Sequence, residues 1–429
     1  MSKTNFSMVS LGCARNLVDS EKMVQDLQEI GLSLVAEGSN EKIRLLNTCS
    51  FIQAAIDETE VNISQLTQEK QSGKLDYIVV TGCYPSRFKR PELEEKFPDV
   101  DLWISTKELD KFQSAMRDMV FKKKYQPEVL SPYTKLTPSH FAYLKISEGC
   151  NNWCSFCTIP KIRGAHKSKS IETLLQEAKQ QLSMGVQELI LIAEDTTCWG
   201  EDLYGKPSFP LLLEELSKLP VKWIRPMYIF PSRVDDALIR VIKNTPNITN
   251  YIDMPIQHVN SDLLKAMNRQ HDKDFLKKIL QDMKTEIPDL AIRSTFILGF
   301  PGETEAHVKE LCDFIEEVPF DHIGCFTYSE ERETRSARFS DKVAPETAKK
   351  WADQVMNKQY KLVQKYNKTH IGSVLECVYE GNGLARSFRE APDVDNAIVV
   401  ESTKPLVPGQ FYTVKLTGQN TYDLLGTVL

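Results

Sequence analysis

Several things are scarce in this sequence. No stretch reaches the ~18 consecutive apolar residues of a membrane helix. The opening "MSKTNFSMVSLGC" lacks an apolar run of signal-peptide length. Basic charge is not in excess: 53 Lys and Arg face 59 Asp and Glu, a net charge of −6. That sign argues against a general nucleic-acid-binding surface and suits a basic protein partner. Glycine (19) and proline (21) are too few among 429 residues for a disordered or low-complexity chain. These absences predict a cytoplasmic protein with no membrane association. The length predicts two to four domains, since single cores stop growing near ~250–300 residues. Cysteine, by contrast, is plentiful at ten. In a cytoplasmic chain, clustered thiols are read as metal ligands or reactive groups before disulfides.

The segment 1–125 repeats one pattern three times. An apolar strand-like run ends in a cysteine in "FSMVSLGC", "IRLLNTC" and "YIVVTGC", which places Cys13, Cys49 and Cys83. Helical patterns lie between, including "DSEKMVQDLQEIG" after a cap at Asp19. Strand–helix alternation predicts a parallel α/β sheet, whose ligands gather at the carboxyl ends of its strands. Three buried thiols of no consequence are the bland alternative. The repeated placement instead sends all three to one sheet edge. Residues 126–138, with three prolines and no periodicity, read as a linker.

The segment 139–365 alternates again through "FAYLKIS", "ELILIAED", "WIRPMYIF", "YIDMPIQ", "IRSTFILGF" and "HIGCFTYS". Six β/α units predict a partial (β/α)6 barrel with its site at the strands' carboxyl ends. The segment 366–429 switches to short β-rich runs and reads as a small antiparallel β-barrel. It holds five Lys and Arg against seven Asp and Glu, so direct nucleic-acid binding is not expected of it. Glu390, Asp393 and Asp395 in "REAPDVD" form either an acidic docking face or a set of turn caps.

"EGCNNWCSFCTIP", residues 148–160, places Cys150, Cys154 and Cys157 in the loop after the first barrel strand. Zinc sites usually pair such thiols with a second Cys-x2-Cys unit. None follows, and the next cysteine, Cys198, stands alone. Three thiolates on a four-iron cluster leave one iron open, and open coordination marks catalysis. Polar residues at strand ends are candidates for cofactor contact: Glu194, Asp195, Arg225, Gln257 and Arg293, with His258 beside them. Ordinary barrel-lining contacts are the competing reading of each. "GFPGE" at 299–303 is a weak glycine motif, Cys312 and Cys325 read as core, and Lys122–Lys124 reads as a solvated helix end.

The Cys150–Cys157 loop resembles that of the radical S-adenosylmethionine enzymes. "SLGCARNLVDSE", "LNTCSFIQAAIDE" and "VTGCYPSR" resemble the cysteine motifs of the methylthiotransferases within them, and "YIDMPIQHVNSDLLKAMNR" and "STFILGFPGETE" resemble their barrel motifs. "ARSFREAPDVD" resembles the TRAM domain of the branch acting on ribosomal small-subunit protein twelve. The loop departs from the family pattern at Asn152, Thr158 and Lys169, and the last domain at Ala385 and Asn396. The resemblance implies two [4Fe-4S] clusters and S-adenosyl-L-methionine as cofactors. Cys150, Cys154 and Cys157 would hold the radical-generating cluster, and Cys13, Cys49 and Cys83 the auxiliary one. It implies methylthio transfer to the β-carbon of an aspartate in that basic ribosomal protein, with an electron donor as second partner. The nearest rival is a tRNA methylthiotransferase acting on a modified adenosine. A non-catalytic iron–sulfur carrier would instead show fully ligated clusters.

Overall fold

The computed structural model describes residues 4–122 and 133–429. Lys123, Lys124 and most of the expected linker lie outside the described residues. The chain forms two compact units: Met1–Leu136 with Glu148–Asn151 and Cys157–His166, and Thr137–Ser147 with Asn152–Phe156 and Lys167–Leu429. No helix among the described residues is long and apolar enough to cross a membrane.

The first unit is built on an all-parallel sheet of β1 (Asn5–Ser10), β2 (Ser33–Leu34), β3 (Ile43–Thr48), β4 (Tyr77–Gly82) and β5 (Leu102–Ser105), in the order β2-β1-β3-β4-β5. Strand side chains alternate between faces. Phe6, Leu45 and Val79 therefore pack with Met23, Val24, Leu27, Phe112 and Met116 on one side. Leu46, Ile78, Val80 and Trp103 pack with Ile56, Ile63 and Leu66 on the other. Each such side chain contributes about 1.5–3 kcal/mol by leaving water, which is why these strands are apolar on both faces. The helix expected to start at Asp19 starts earlier, at Ala14, with Cys13 as its N-cap residue. Asp19 lies inside it, buried, where cap chemistry is not its task.

The second unit begins with six strands, β6 (Phe141–Lys145), β7 (Glu188–Ile192), β8 (Trp223–Pro226), β9 (Tyr251–Asp253), β10 (Ala291–Leu298) and β11 (His322–Thr327). They form two parallel three-stranded ladders, β8-β7-β6 and β9-β10-β11, each matching a run read from the sequence. Leu189 and Leu191 pack outward on Leu174, Ala178, Leu212 and Leu213, so Glu188, Ile190 and Ile192 face the other way, into the barrel.

The C-terminal strands β12 (Val374–Gly381), β13 (Leu384–Arg386), β14 (Ile398–Glu401), β15 (Phe411–Asn420) and β16 (Asp423–Val428) close a barrel around Cys377, Ile398, Val414 and Leu416. One of its pairings, β14 with β16, is parallel, so the barrel is not antiparallel throughout.

Candidate functional site

In the first unit the register aligns Ser10 with Asn47 and Asn47 with Thr81. The carboxyl ends of β1, β3 and β4 therefore lie side by side, with Cys13, Cys49 and Cys83 just beyond them. Two glycines make the approach possible. Gly12 has φ +89°, and a Cβ there would lie 2.8 Å from Cys49 Cβ. Gly82 has φ +95°, and its Cβ would lie 2.3 Å from Asn47 Oδ1. Polar side chains fix the loops. Asn16 donates to the carbonyls of Leu11 and Thr48, both at 2.9 Å. Thr48 donates to Thr81 at 2.5 Å, and Thr59 to the Cys49 carbonyl at 2.8 Å.

Burial pushes the Cys83 thiol up to about 12, against the pull of the nearby Arg163. Burial also raises Cys49, and the neighbouring Cys13 adds to the rise. Three soft thiols at one edge match the donor set of an iron–sulfur cluster, and binding one releases their protons. Among the described residues, no three His, Cys, Asp or Glu side chains close on a single point as one bound ion requires.

Arg163 was not singled out in the sequence. It ends the helix Ile159–Arg163 and is buried. Its Nη1 donates to Glu148 at 2.8 Å and Asp19 at 3.3 Å. Its Nη2 donates to Asn16 Oδ1 at 2.5 Å and Cys83 Sγ at 3.6 Å. Its position six residues past Cys157 was the available signal.

Cys150, Cys154 and Cys157 are each half-buried in the loop that follows β6. In the second unit, Arg269 donates to Cys154 Sγ at 3.6 Å and to the Pro255 carbonyl at 2.6 Å, with its guanidinium 4.2 Å from the Phe230 ring centre. Asn268 donates to the carbonyls of Asn152 and Trp153 at 3.1 and 3.0 Å. Asp195 is buried and collects the Thr197 hydroxyl at 2.5 Å, Arg233 Nη1 at 2.6 Å and Asn152 Nδ2 at 2.8 Å. Asn152, a departure from the family pattern, thus joins the cysteine loop to the carboxyl end of β7. Glu194, beside Asp195, is half-buried at the same end.

Gln257 follows β9 with φ +73°, its backbone bridged to Phe296. His258 is buried, accepts from Asn260 N on Nδ1 at 2.9 Å and faces Glu303 from Nε2 at 3.3 Å. An accepting Nδ1 leaves the proton on Nε2, which donates to Glu303. Glu303 in turn accepts from the backbone of Gly299 and Phe300, so "GFPGE" forms a carboxylate-capped turn.

Arg225 and Arg293 are engaged with carboxylates and the C-terminal segment. Arg225 reaches Glu188, the first residue of β7, at 2.6 Å, and the Phe388 carbonyl at 2.7 Å. Arg293 pairs with Asp253 at 3.0 Å and Asp395 at 3.2 Å. Both join the barrel to the C-terminal segment that carries Phe388 and Asp395.

The same geometry favours turn caps over an acidic docking face for Glu390 and Asp395 in "REAPDVD". Glu390 is buried and accepts from Ser387 N at 2.8 Å. Asp395 accepts from Tyr251 at 2.6 Å and Ala391 N at 2.8 Å. Asp393, at φ +67°, accepts from Tyr143 at 2.9 Å. These carboxylates hold turns and the seam with the barrel. Cys312 belongs to the apolar core, as expected, and Cys325 is partly buried against it. Cys198 is buried and donates to the Asp195 carbonyl at 3.2 Å.

Comparison with known proteins bears on the whole chain. Residues 144–315 match the radical SAM superfamily, 5–105 the Uncharacterized protein family UPF0004, and 371–429 the TRAM domain. The chain is similar to "Ribosomal protein uS12 methylthiotransferase RimO" of Christiangramia forsetii, 38% identical over 435 residues, covering 100% of this chain and 95% of that protein. The protein of the same name from Syntrophus aciditrophicus is 38% identical over 450 residues, covering 100% and 99%. In fold, the chain resembles the radical S-adenosylmethionine methyltransferase TsrM from Kitasatospora setae, with TM-score 0.58 and 12% identity over 93% of this chain and 82% of that one. It also resembles the cobalamin-dependent radical enzyme OxsB, with TM-score 0.53 and 14% identity over 84% and 58%.

Proposed function

The chain belongs to the family of ribosomal protein uS12 methylthiotransferases, and from that premise we propose that it transfers a methylthio group to the β-carbon of an aspartate in uS12. The supporting observation is full-length similarity across all three matched regions. In this reading Cys150, Cys154 and Cys157 hold the radical-generating [4Fe-4S] cluster, and Cys13, Cys49 and Cys83 hold the auxiliary one. Bound there, the clusters would supply one-electron cleavage of S-adenosylmethionine and a place for the transferred sulfur. The substrate C–H bond is too weak an acid for a general base at neutral pH, so the chain needs no catalytic base for hydrogen abstraction.

The protein's own groups position and shield. The Asn152–Asp195–Arg233 contacts hold the cysteine loop against β7. Glu194 and Gln257, at carboxyl ends of the barrel strands, are the polar candidates for S-adenosylmethionine favoured here, since Arg225 and Arg293 are already paired with carboxylates. A cytoplasmic electron donor completes the set of partners.

Anaerobically reconstituted protein, given reductant, sulfide and S-adenosylmethionine, should add one methylthio group to an aspartate of uS12, read by mass spectrometry of its peptides. Modification of an adenosine in tRNA, with uS12 untouched, would overturn the reading in favour of the tRNA enzyme.

A further inference from the structure

The guanidinium of Arg163 reaches the Cys83 thiol. Nη1 is held by two carboxylates, Glu148 and Asp19. Nη2 is held by one neutral oxygen, Asn16 Oδ1, and directs its other N–H to Cys83 Sγ at 3.6 Å. The two carboxylates keep the cation in place whether or not the sulfur is charged. Asn16 also braces the loops after β1 and β3, through Leu11 and Thr48. The donor is therefore locked in position before any cluster is present, which is the condition for an electrostatic contact that costs no reorganisation. Arginine stays protonated throughout. Hydrogen bonds to ligand sulfurs and nearby charge are the protein's means of setting a cluster's potential.

We propose that Arg163 is a positioning residue for the auxiliary cluster, donating an N–H to the Cys83 thiolate and raising that cluster's reduction potential. This rests on the assignment of the cluster to Cys13, Cys49 and Cys83. A fixed cation on one ligand sulfur draws electron density from the iron and steadies the anionic assembly. The helix Ile159–Arg163 that brings this cation begins two residues after Cys157. Backbone N–H of Cys150 donates to the carbonyl of Gly164, next to Arg163, at 3.1 Å. The segment that carries Cys150, Cys154 and Cys157 thereby also carries Arg163.

The test uses the full chain with Cys150, Cys154 and Cys157 all changed to Ala, so that only the auxiliary cluster assembles. Iron content is measured first, then the midpoint potential by redox titration with electron paramagnetic resonance detection. Arg163→Gln should retain about four irons and shift the potential to a more negative value. Arg163→Lys, which keeps the charge but loses the fork, should fall between. Four irons with an unmoved potential in both variants would overturn the role of Arg163. So would a loss of iron in both that is accompanied by loss of the far-ultraviolet circular dichroism of the sheet, which marks a purely structural arginine. Absence of iron from the parent triple variant would instead overturn the cluster assignment.

Discussion

A methyl group on Gly82 would lie 2.3 Å from Asn47 Oδ1 and 2.7 Å from the Thr48 carbonyl, in a backbone with φ +95°. Gly82→Ala should therefore cost at least the ~1–3 kcal/mol of a strained backbone, read by urea unfolding. It should also lower iron uptake by the Cys13, Cys49 and Cys83 set, since Cys83 follows directly. Wild-type protein should take up about eight irons, and converting either cysteine trio to Ala should leave about four; saturation by a single zinc would contradict this. That Cys13, Cys49 and Cys83 follow neighbouring strand ends was legible because their placement after an apolar run repeats. The arginines beside Cys83 and Cys154, Arg163 and Arg269, were not, because nothing in a local pattern tells which cation folds back onto a thiol. Arg225 and Arg293 show the converse. Each sits on a barrel strand, but strand membership does not say which partner the side chain takes: Arg225 runs back to Glu188 at the start of β7, and Arg293 pairs with Asp253 at the end of β9 and with Asp395.

At the scale of elements, the amino ends of β7 and β8 meet the C-terminal barrel through buried charge. Glu188 accepts from Arg225 and Arg386, and Arg386 continues to Glu380. Burial alone would raise the Glu188 carboxyl, but Arg386 and then Arg225 outweigh it and hold the group at about 2. A depressed carboxyl contributes stability that is complete above its unfolded value of ~4.3 and is lost as pH falls from there through about 2. Acid unfolding of the second unit, followed by circular dichroism, should steepen in that window. Glu188→Gln leaves two buried arginines short of a charge and should cost about 3–5 kcal/mol at pH 7, while the acid-dependent contribution disappears. The seam was not legible because its partners come from positions about two hundred residues apart in sequence. The strands themselves were, since each is an apolar run bounded by turn residues. In "REAPDVD" the turn-cap alternative is the one Glu390 and Asp395 take, since charge counted along the chain does not report exposure. Glu390→Lys and Asp395→Lys should therefore unfold the C-terminal barrel, seen as lost thermal cooperativity, before any effect on uS12 binding can be measured.

For the whole molecule, the order of α/β sheet, barrel and small β-barrel followed from a change of period along the chain. The two compact units did not, because they cut through the cysteine loop itself. Residues 157–166 belong with the first unit. Thr158 donates to the Phe51 carbonyl at 3.3 Å, Thr106 to Ile162 at 3.2 Å and Lys107 to Lys161 at 3.1 Å, besides the contacts of Arg163. Residues 152–156 belong with the second: Ser155 N donates to Met267 at 2.9 Å, and Ser336 N to the Ser155 carbonyl at 2.9 Å. Amide protection follows cooperative units rather than sequence neighbourhood. Hydrogen exchange of the apo protein should show Gly82→Ala speeding exchange at 157–166 together with β1, β3 and β4. Glu188→Gln should speed it at Ser155 and across β6 to β8, while leaving 157–166 protected. Parallel loss of protection throughout 150–166 in both variants would show that the loop opens as one piece and that the division is not cooperative. The outcome matters for cluster assembly, because a loop whose two parts are protected by different units stays ordered only while both are folded.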